Sequence, residues 1–185
     1  MAPANDARQL MSASEIDRTL VRLAHEVIER SPDLARLAFV GIRRRGVPLA
    51  QRLARKIEAI EKRAIPVGVL DITLYRDDLS LVDSQPVVNA TEIRFPLTAL
   101  DVVLTDDVLY TGRTVRAALN ALFDHGRPAR VQLLALIDRG HRELPIEASY
   151  VGRAIPTAKD ENVEVRLQEV DAEERVILTR RRSAA

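Results

Sequence analysis

Val102-Val103-Leu104-Thr105-Asp106-Asp107-Val108-Leu109-Tyr110-Thr111-Gly112-Arg113-Thr114 is the stretch that decides the fold. Its first four residues are apolar or β-branched and uncharged, the composition of a buried strand. Two adjacent carboxylates, Asp106 and Asp107, come at the end of that run. A short turn carrying Thr111, Gly112 and Thr114 follows. Val115, Ala118, Leu119 and Leu122 then recur at helical spacing. The order is strand, acidic pair, hydroxyl-rich turn, helix.

Each part has a chemical use. The first N–H groups of a helix have no intrahelical partner and favour an anion, so residues 110–114 can cradle a phosphate. Gly112 lets the backbone approach that phosphate, because it lacks a side chain and tolerates positive φ. Thr111 and Thr114 add hydroxyl donors. Asp106 and Asp107 stand at the carboxyl end of the strand, where α/β sheets place their ligands. Carboxylates repel phosphate, but they accept hydrogen bonds from sugar hydroxyls and can hold Mg²⁺. A ligand with one phosphate, a diol and a metal-bound second phosphate group would use every one of these groups. Phosphoribosyl pyrophosphate is such a ligand. The bland reading of the same residues is an ordinary strand-turn-helix connection with a good cap.

A second unit of the same polarity lies upstream. Leu37-Ala38-Phe39-Val40-Gly41-Ile42 reads as a buried strand. It runs through Arg43, Arg44, Arg45 and Gly46 into a helix that opens at Val47 and Pro48 and continues to about Lys62. That places Arg44, Arg45 and the Gly46 backbone at the same sheet edge as the aspartates, where guanidinium and N–H groups can bind pyrophosphate. Upstream again, residues 1–11 read as a loose lead-in. Ser12-Ala13-Ser14-Glu15 reads as a capping box, and residues 14–30 read as an amphipathic helix with His25 beside its apolar stripe. Residues 66–75 and 87–95 read as the two strands of a hairpin whose polar tip spans residues 76–86, either a lid or an ordinary exposed hairpin. Beyond the central helix, His125 reads as a C-terminal cap residue. Residues 131–137, 150–155, 163–170 and 175–179 read as strands, and residues 180–185 as a basic tail.

Composition narrows the choices. With 185 residues and 46% hydrophobic content, one domain can bury a real core; with only 3% aromatics, that core is aliphatic. Lys and Arg number 28 against 27 acidic residues, so nucleic-acid binding would need a local basic face rather than overall charge. The absence of cysteine excludes disulfides, zinc–thiolate sites and a thiol nucleophile. No run approaches a membrane span and the N-terminus lacks a secretory apolar segment, so a cytoplasmic protein with no membrane partner is expected.

The apolar strand, Asp-Asp and Thr-Gly-x-Thr resemble the phosphoribosyl pyrophosphate motif of the type I phosphoribosyltransferases. The stretch 70–80, the loop Asp138-Arg139-Gly140-His141-Arg142-Glu143-Leu144-Pro145-Ile146, the helix around Leu23-Ala24-His25-Glu26 and the segment 151–157 narrow the resemblance. They are similar to the subgroup of uracil phosphoribosyltransferases that also regulate pyrimidine operons. The likeness runs from about residue 12 to 179.

That resemblance implies an α/β fold, a mainly parallel twisted sheet flanked by helices, with a flexible β-hairpin and a small hood. A single domain, 1–185, is expected, its hood drawn from roughly 1–35 and 138–180. It implies that Asp106, Asp107 and Arg45 are catalytic. Arg44, Arg45, Gly46, Asp106, Asp107 and the run Val108, Leu109, Tyr110, Thr111, Gly112, Arg113, Thr114 and Val115 would bind phosphoribosyl pyrophosphate or UMP. Arg139 and Val163 would receive uracil, and Tyr75 and Arg76 would belong to the lid. Mg²⁺ would sit by Asp106 and Asp107, held mainly through the pyrophosphate. Partners implied are uracil, UMP or UTP, a stem-loop of pyrimidine operon mRNA, and further copies of the chain in a homodimer or higher oligomer. Arg22, His25, Arg142 and Arg153 would face the RNA. Two departures stand out: Arg44 replaces the usual Thr before Arg-Gly, and Glu147 is acidic where a basic residue would favour RNA. The rival readings are a purely metabolic phosphoribosyltransferase without RNA binding, and a purine enzyme sharing the phosphate loop.

Overall fold

The computed structural model describes residues 7–75 and 90–180. Five parallel strands form the main sheet in the order β3-β2-β4-β5-β6. These are β2 (Leu37–Ile42), β3 (Val67–Leu70), β4 (Asp101–Leu109), β5 (Arg130–Asp138) and β6 (Tyr150–Ala154). A second sheet is antiparallel, in the order β1-β8-β7, from Arg8–Ser12, Arg175–Arg180 and Glu161–Arg166.

The central strands are covered on both faces, so they read as continuous apolar runs whose side chains divide by alternation. Phe39, Val103, Leu134 and Leu136 point to one core, shared with α1 (Ala13–Arg30) and α2 (Gly46–Glu61). Val40, Leu104, Leu133 and Ala135 point to the other, shared with α3 (Arg113–Phe123). The small sheet adds Val163, Val165, Val176 and Leu178 to the first core.

Strand order fixes where a ligand can enter. The chain leaves β2 for β3 on one side, crosses back over β2 to β4, and then proceeds outward through β5 to β6. The direction reverses between β2 and β4. Loops after those two strands therefore diverge and open a crevice at their carboxyl ends.

Several boundaries differ from the sequence expectations, each for a local reason. The expected lead-in contains strand β1, paired with β8 from Arg8↔Leu178 to Ser12↔Arg175. The capping box is present, and Ser12 caps a helix that begins at Ala13 rather than Ser14. Helix α2 begins one residue early, at Gly46. The expected strand 66–75 stops at Leu70; the Asp71 carboxylate then accepts hydrogen bonds from Thr73 N–H (2.8 Å) and Oγ (2.6 Å), turning the chain into a 3-10 turn at Thr73–Tyr75. Of the expected returning strand 87–95, residues 87–89 lie outside the described residues, and the remainder makes one antiparallel bridge, Val69↔Glu92. The expected strand 163–170 is β7 only to Arg166. Asp171 accepts the Leu167 N–H at 2.9 Å and closes a helical turn, α4 (Gln168–Asp171). His125 caps α3 as expected, its Nδ1 lying 2.9 Å from the Ala121 carbonyl.

Candidate active site

The crevice between β2 and β4 holds a cavity of about 380 Å³, lined by Ile42, Arg43, Arg44, Arg45, Asp71, Ile72, Thr73, Asp106, Asp107, Val108 and Thr114. Strand β4 delivers the two aspartates, and α3 starts where the strand ends. Asp107 N–H donates to Asp106 Oδ1 at 2.9 Å, and Val108 N–H to Asp107 Oδ1 at 2.9 Å, so both carboxylates are fixed by the strand's own backbone. Asp106 is buried, whereas Asp107 is partly open to the cavity. Burial, and secondarily the adjoining Asp107 charge, push the Asp106 carboxyl well above its ordinary range.

Gly112 has φ 92° and forms the N-cap of α3 without any side-chain cap. The helix therefore starts with no side chain at its cap to cover the first N–H groups, the arrangement an anion fills. Arg113 N–H is engaged locally, by Thr111 Oγ1 at 3.3 Å. Behind the turn, the Thr111 carbonyl accepts N–H groups of Glu143 (2.9 Å) and Leu144 (3.2 Å), and Arg113 pairs with Glu143 at 2.7 Å. The loop after β5 thus braces the phosphate-type turn.

The second wall is the loop after β2. A Cβ on Gly46 would lie 2.2 Å from the Thr105 carbonyl oxygen, so only glycine lets α2 start against β4. Arg44 is exposed at the cavity and makes no hydrogen bond or ion pair among the described residues. Arg45 is held bidentately by Asp171, Nε to Oδ2 at 3.0 Å and Nη2 to Oδ1 at 2.6 Å. Arg43, which the sequence reading passed over, lines the cavity as well. It donates to the Ala90 carbonyl at 2.9 Å, and its buried Nε has no hydrogen-bond partner among the described residues. Its place in the arginine triplet was the available signal.

A second cavity of about 340 Å³ adjoins the first through Arg45 and Asp107 and is otherwise lined by β7, including Val163. Arg139 is buried below Tyr110, its guanidinium 4.0 Å from the ring centroid, and donates to Thr157 Oγ1 at 3.2 Å and the Glu161 carbonyl at 2.6 Å. Tyr75 donates to the Asp124 carboxylate at the end of α3, and Arg76 lies outside the described residues.

Among the described residues, no three His, Cys, Asp or Glu side chains cluster closely enough to hold a metal on their own. Asp107, open to the cavity beside the buried Asp106, fits Mg²⁺, which keeps waters and takes substrate phosphates as ligands.

The model of the phosphoribosyl transferase domain matches residues 8–170. The curated relative "Bifunctional protein PyrR" of Pelotomaculum thermopropionicum is 59% identical over 95% of this chain and 97% of its own. A PyrR of Thermus thermophilus is 55% identical, again over 95% and 97%. The chain belongs to the PyrR family of phosphoribosyltransferases. Solved structures agree on the fold. A hypoxanthine phosphoribosyltransferase of Staphylococcus aureus superposes with TM-score 0.68 at 22% identity, covering 95% of this chain and 93% of that one. One from Trypanosoma cruzi gives 0.71 at 18%, covering 98% and 94%.

The four residues expected to face RNA do not share one environment. Arg22 donates to the carbonyls of Val151 (3.0 Å) and Gly152 (2.6 Å), and Arg153 to that of Leu10 (2.7 Å). Arg22 thus ties α1 to β6, and Arg153 ties β6 to β1. They line a shallow recess with Glu15, Arg18 and Thr19, while His25 is exposed on α1. Arg142 lies in the loop after β5, bonded to Asp138 and to the carbonyls of Ile146 and Tyr110. No helix among the described residues is long and apolar enough to cross a membrane.

Proposed function

We propose that this PyrR-family chain converts uracil and phosphoribosyl pyrophosphate to UMP and pyrophosphate, and regulates pyrimidine operon mRNA according to its bound nucleotide. One observation carries the enzymatic half. Paired aspartates, an N–H cradle and an arginine loop meet around one cavity at the point where the strand order reverses.

In this reading the N–H groups of residues 111–114 hold the 5′-phosphate, and Asp106 and Asp107 accept the ribose hydroxyls. Uracil lies in the adjoining cavity beside Val163, under the small antiparallel sheet acting as hood, with Arg139 fixing the wall behind it. Uracil N1 bonds to C1′ as the C1′–O bond to pyrophosphate breaks, and the N1 proton passes to solvent. The sugar becomes cationic between these events, and Asp107 balances that charge. Arg44 and Arg45 face the departing pyrophosphate, with Arg43 lining the cavity beside them. Asp106 and Asp107 would hold Mg²⁺ together with the substrate, and the metal would supply charge neutralisation there. Formation of UMP from uracil, phosphoribosyl pyrophosphate and Mg²⁺ tests this. Turnover with uracil is expected; no turnover, or turnover with hypoxanthine instead, contradicts it.

The regulatory half rests on family membership and on the exposed side chains of Arg18, Arg22 and His25 along α1. RNA would be read through loop bases and shape, with a salt-dependent phosphate contribution. A gel shift with the operon leader, with and without UMP, decides: a UMP-dependent shift is expected, and its absence leaves a purely metabolic enzyme. We place the chain in the cytoplasm, as a homodimer or larger oligomer.

A further inference from the structure

Asp171 has no part in the chemistry above, yet it grips one of the groups that does. It closes α4, 126 residues along the chain from Arg45. Both of its carboxylate oxygens accept from the Arg45 guanidinium, at 3.0 and 2.6 Å, a fork geometry that fixes orientation as well as distance. The Asp171 carboxylate is itself fixed, because Oδ2 also accepts the Leu167 N–H at 2.9 Å. Arg45 meanwhile lines both cavities, and Asp107 lines both with it. The guanidinium thus has three carboxylates within electrostatic reach: Asp171, which holds it, and Asp107 and Glu164, which also attract it.

A second contact also joins the α4 segment to α2. Arg52 on α2 already reaches Glu169 (2.8 and 2.6 Å) and Glu174 (2.6 and 2.9 Å). Glu174 lines neither of the two cavities. The Asp171–Arg45 pair is the part of this contact that touches the site.

We infer that Asp171 is a positioning residue: it aims Arg45 at the leaving pyrophosphate and keeps it off Asp107, leaving that carboxylate for the ribose. This rests on the roles given to Arg45 and Asp107 under the proposed function. Calorimetric titration with magnesium pyrophosphate, beside steady-state kinetics, tests it on the full-length chain. Asp171→Asn should weaken pyrophosphate binding about tenfold and raise the KM for phosphoribosyl pyrophosphate by a like factor, with kcat nearly unchanged, the scale of coupling between contacting charged groups. Asp171→Glu should recover most of the loss. In an Arg45→Gln background, Asp171→Asn should have no further effect. Glu174→Gln should lower the melting temperature and leave pyrophosphate affinity as it was.

Wild-type affinity in Asp171→Asn, or an equal loss in Glu174→Gln, overturns the inference. So does failure of Asp171→Asn to fold, which would make Asp171 a fold residue. A wild-type chain that binds pyrophosphate but does not turn over uracil removes the uracil reading, while the titration still decides about Asp171. A wild-type chain that does not bind pyrophosphate overturns both.

Discussion

Burial and the charge of Asp107 hold the Asp106 carboxyl well above the ordinary carboxylate range. The sign of the consequence follows. Its contribution to stability is full below the unfolded value near 3.8 and is lost as pH rises through the higher folded value. Asparagine keeps the acceptor for Asp107 N–H and never ionises. Asp106→Asn should therefore raise the melting temperature of the unliganded chain at neutral pH by about 2–4 °C, a gain of roughly 1 kcal/mol, while turnover collapses. Scanning calorimetry at pH 5 and pH 8 checks it; the gain should be smaller at the lower pH. Asp107 is open to the cavity and, under the proposed function, faces the sugar. Asp107→Asn should cut UMP formation about a hundredfold or more with unchanged circular dichroism, the cost of removing one group aimed at developing charge. These two acids were legible in the sequence because adjacent carboxylates at the end of an apolar run have few other uses. Arg43 was not, since nothing in a run of three arginines says which of them leaves a buried nitrogen without a partner.

Helix α1 shows what an element's first residues decide. Ser12 N–H donates to Glu15 Oε2 at 2.8 Å while Glu15 N–H donates to Ser12 Oγ at 3.4 Å. The Ser12 backbone bond first, then its hydroxyl and Arg153, hold Glu15 at about 2 instead of 4.5. A lowered carboxylate stabilises the fold above its unfolded value and loses that contribution as pH falls through the folded one. The stability difference between wild type and Glu15→Gln should shrink as pH is lowered from 4.5 toward 2, read by urea denaturation at each pH; a difference that stays constant contradicts the assignment. The capping box was readable because its residues are three apart. Strand β1 was not. Only Met11 of its five residues is fully buried, and its ladder partner, β8, lies more than 160 residues downstream. Likewise Val163, Val165 and Leu167 alternate like a strand, but the side chain that turns the chain after Arg166 is Asp171, outside any local pattern.

Across the molecule, the two halves of the site come from distant sequence. The parallel sheet brings the β2 and β4 loops together, and the contact between α2 and the α4 segment sets the arginine loop beside the small sheet. Arg52 anchors that contact with two carboxylates while only 18% of its side chain is exposed. Removing it leaves Glu169 and Glu174 without their cation. Arg52→Gln should cost about 1–2 kcal/mol of folding free energy, measured by chemical denaturation, with the KM for phosphoribosyl pyrophosphate unchanged. That the loops after β2 and β4 share one sheet edge, and hence the place of the cavity, was legible from two strand-loop-helix units of like polarity. The partners of Arg142 were not: it reads as one more loop cation until Asp138 and the carbonyls of Tyr110 and Ile146 are seen around it.

The most direct measurement is a crystal structure of the protein grown with UMP and Mg²⁺. The phosphate is predicted on the N–H groups of residues 111–114, the ribose hydroxyls on Asp106 and Asp107, and the uracil ring beside Val163. Nucleotide bound elsewhere, with the crevice between β2 and β4 empty, would contradict the account.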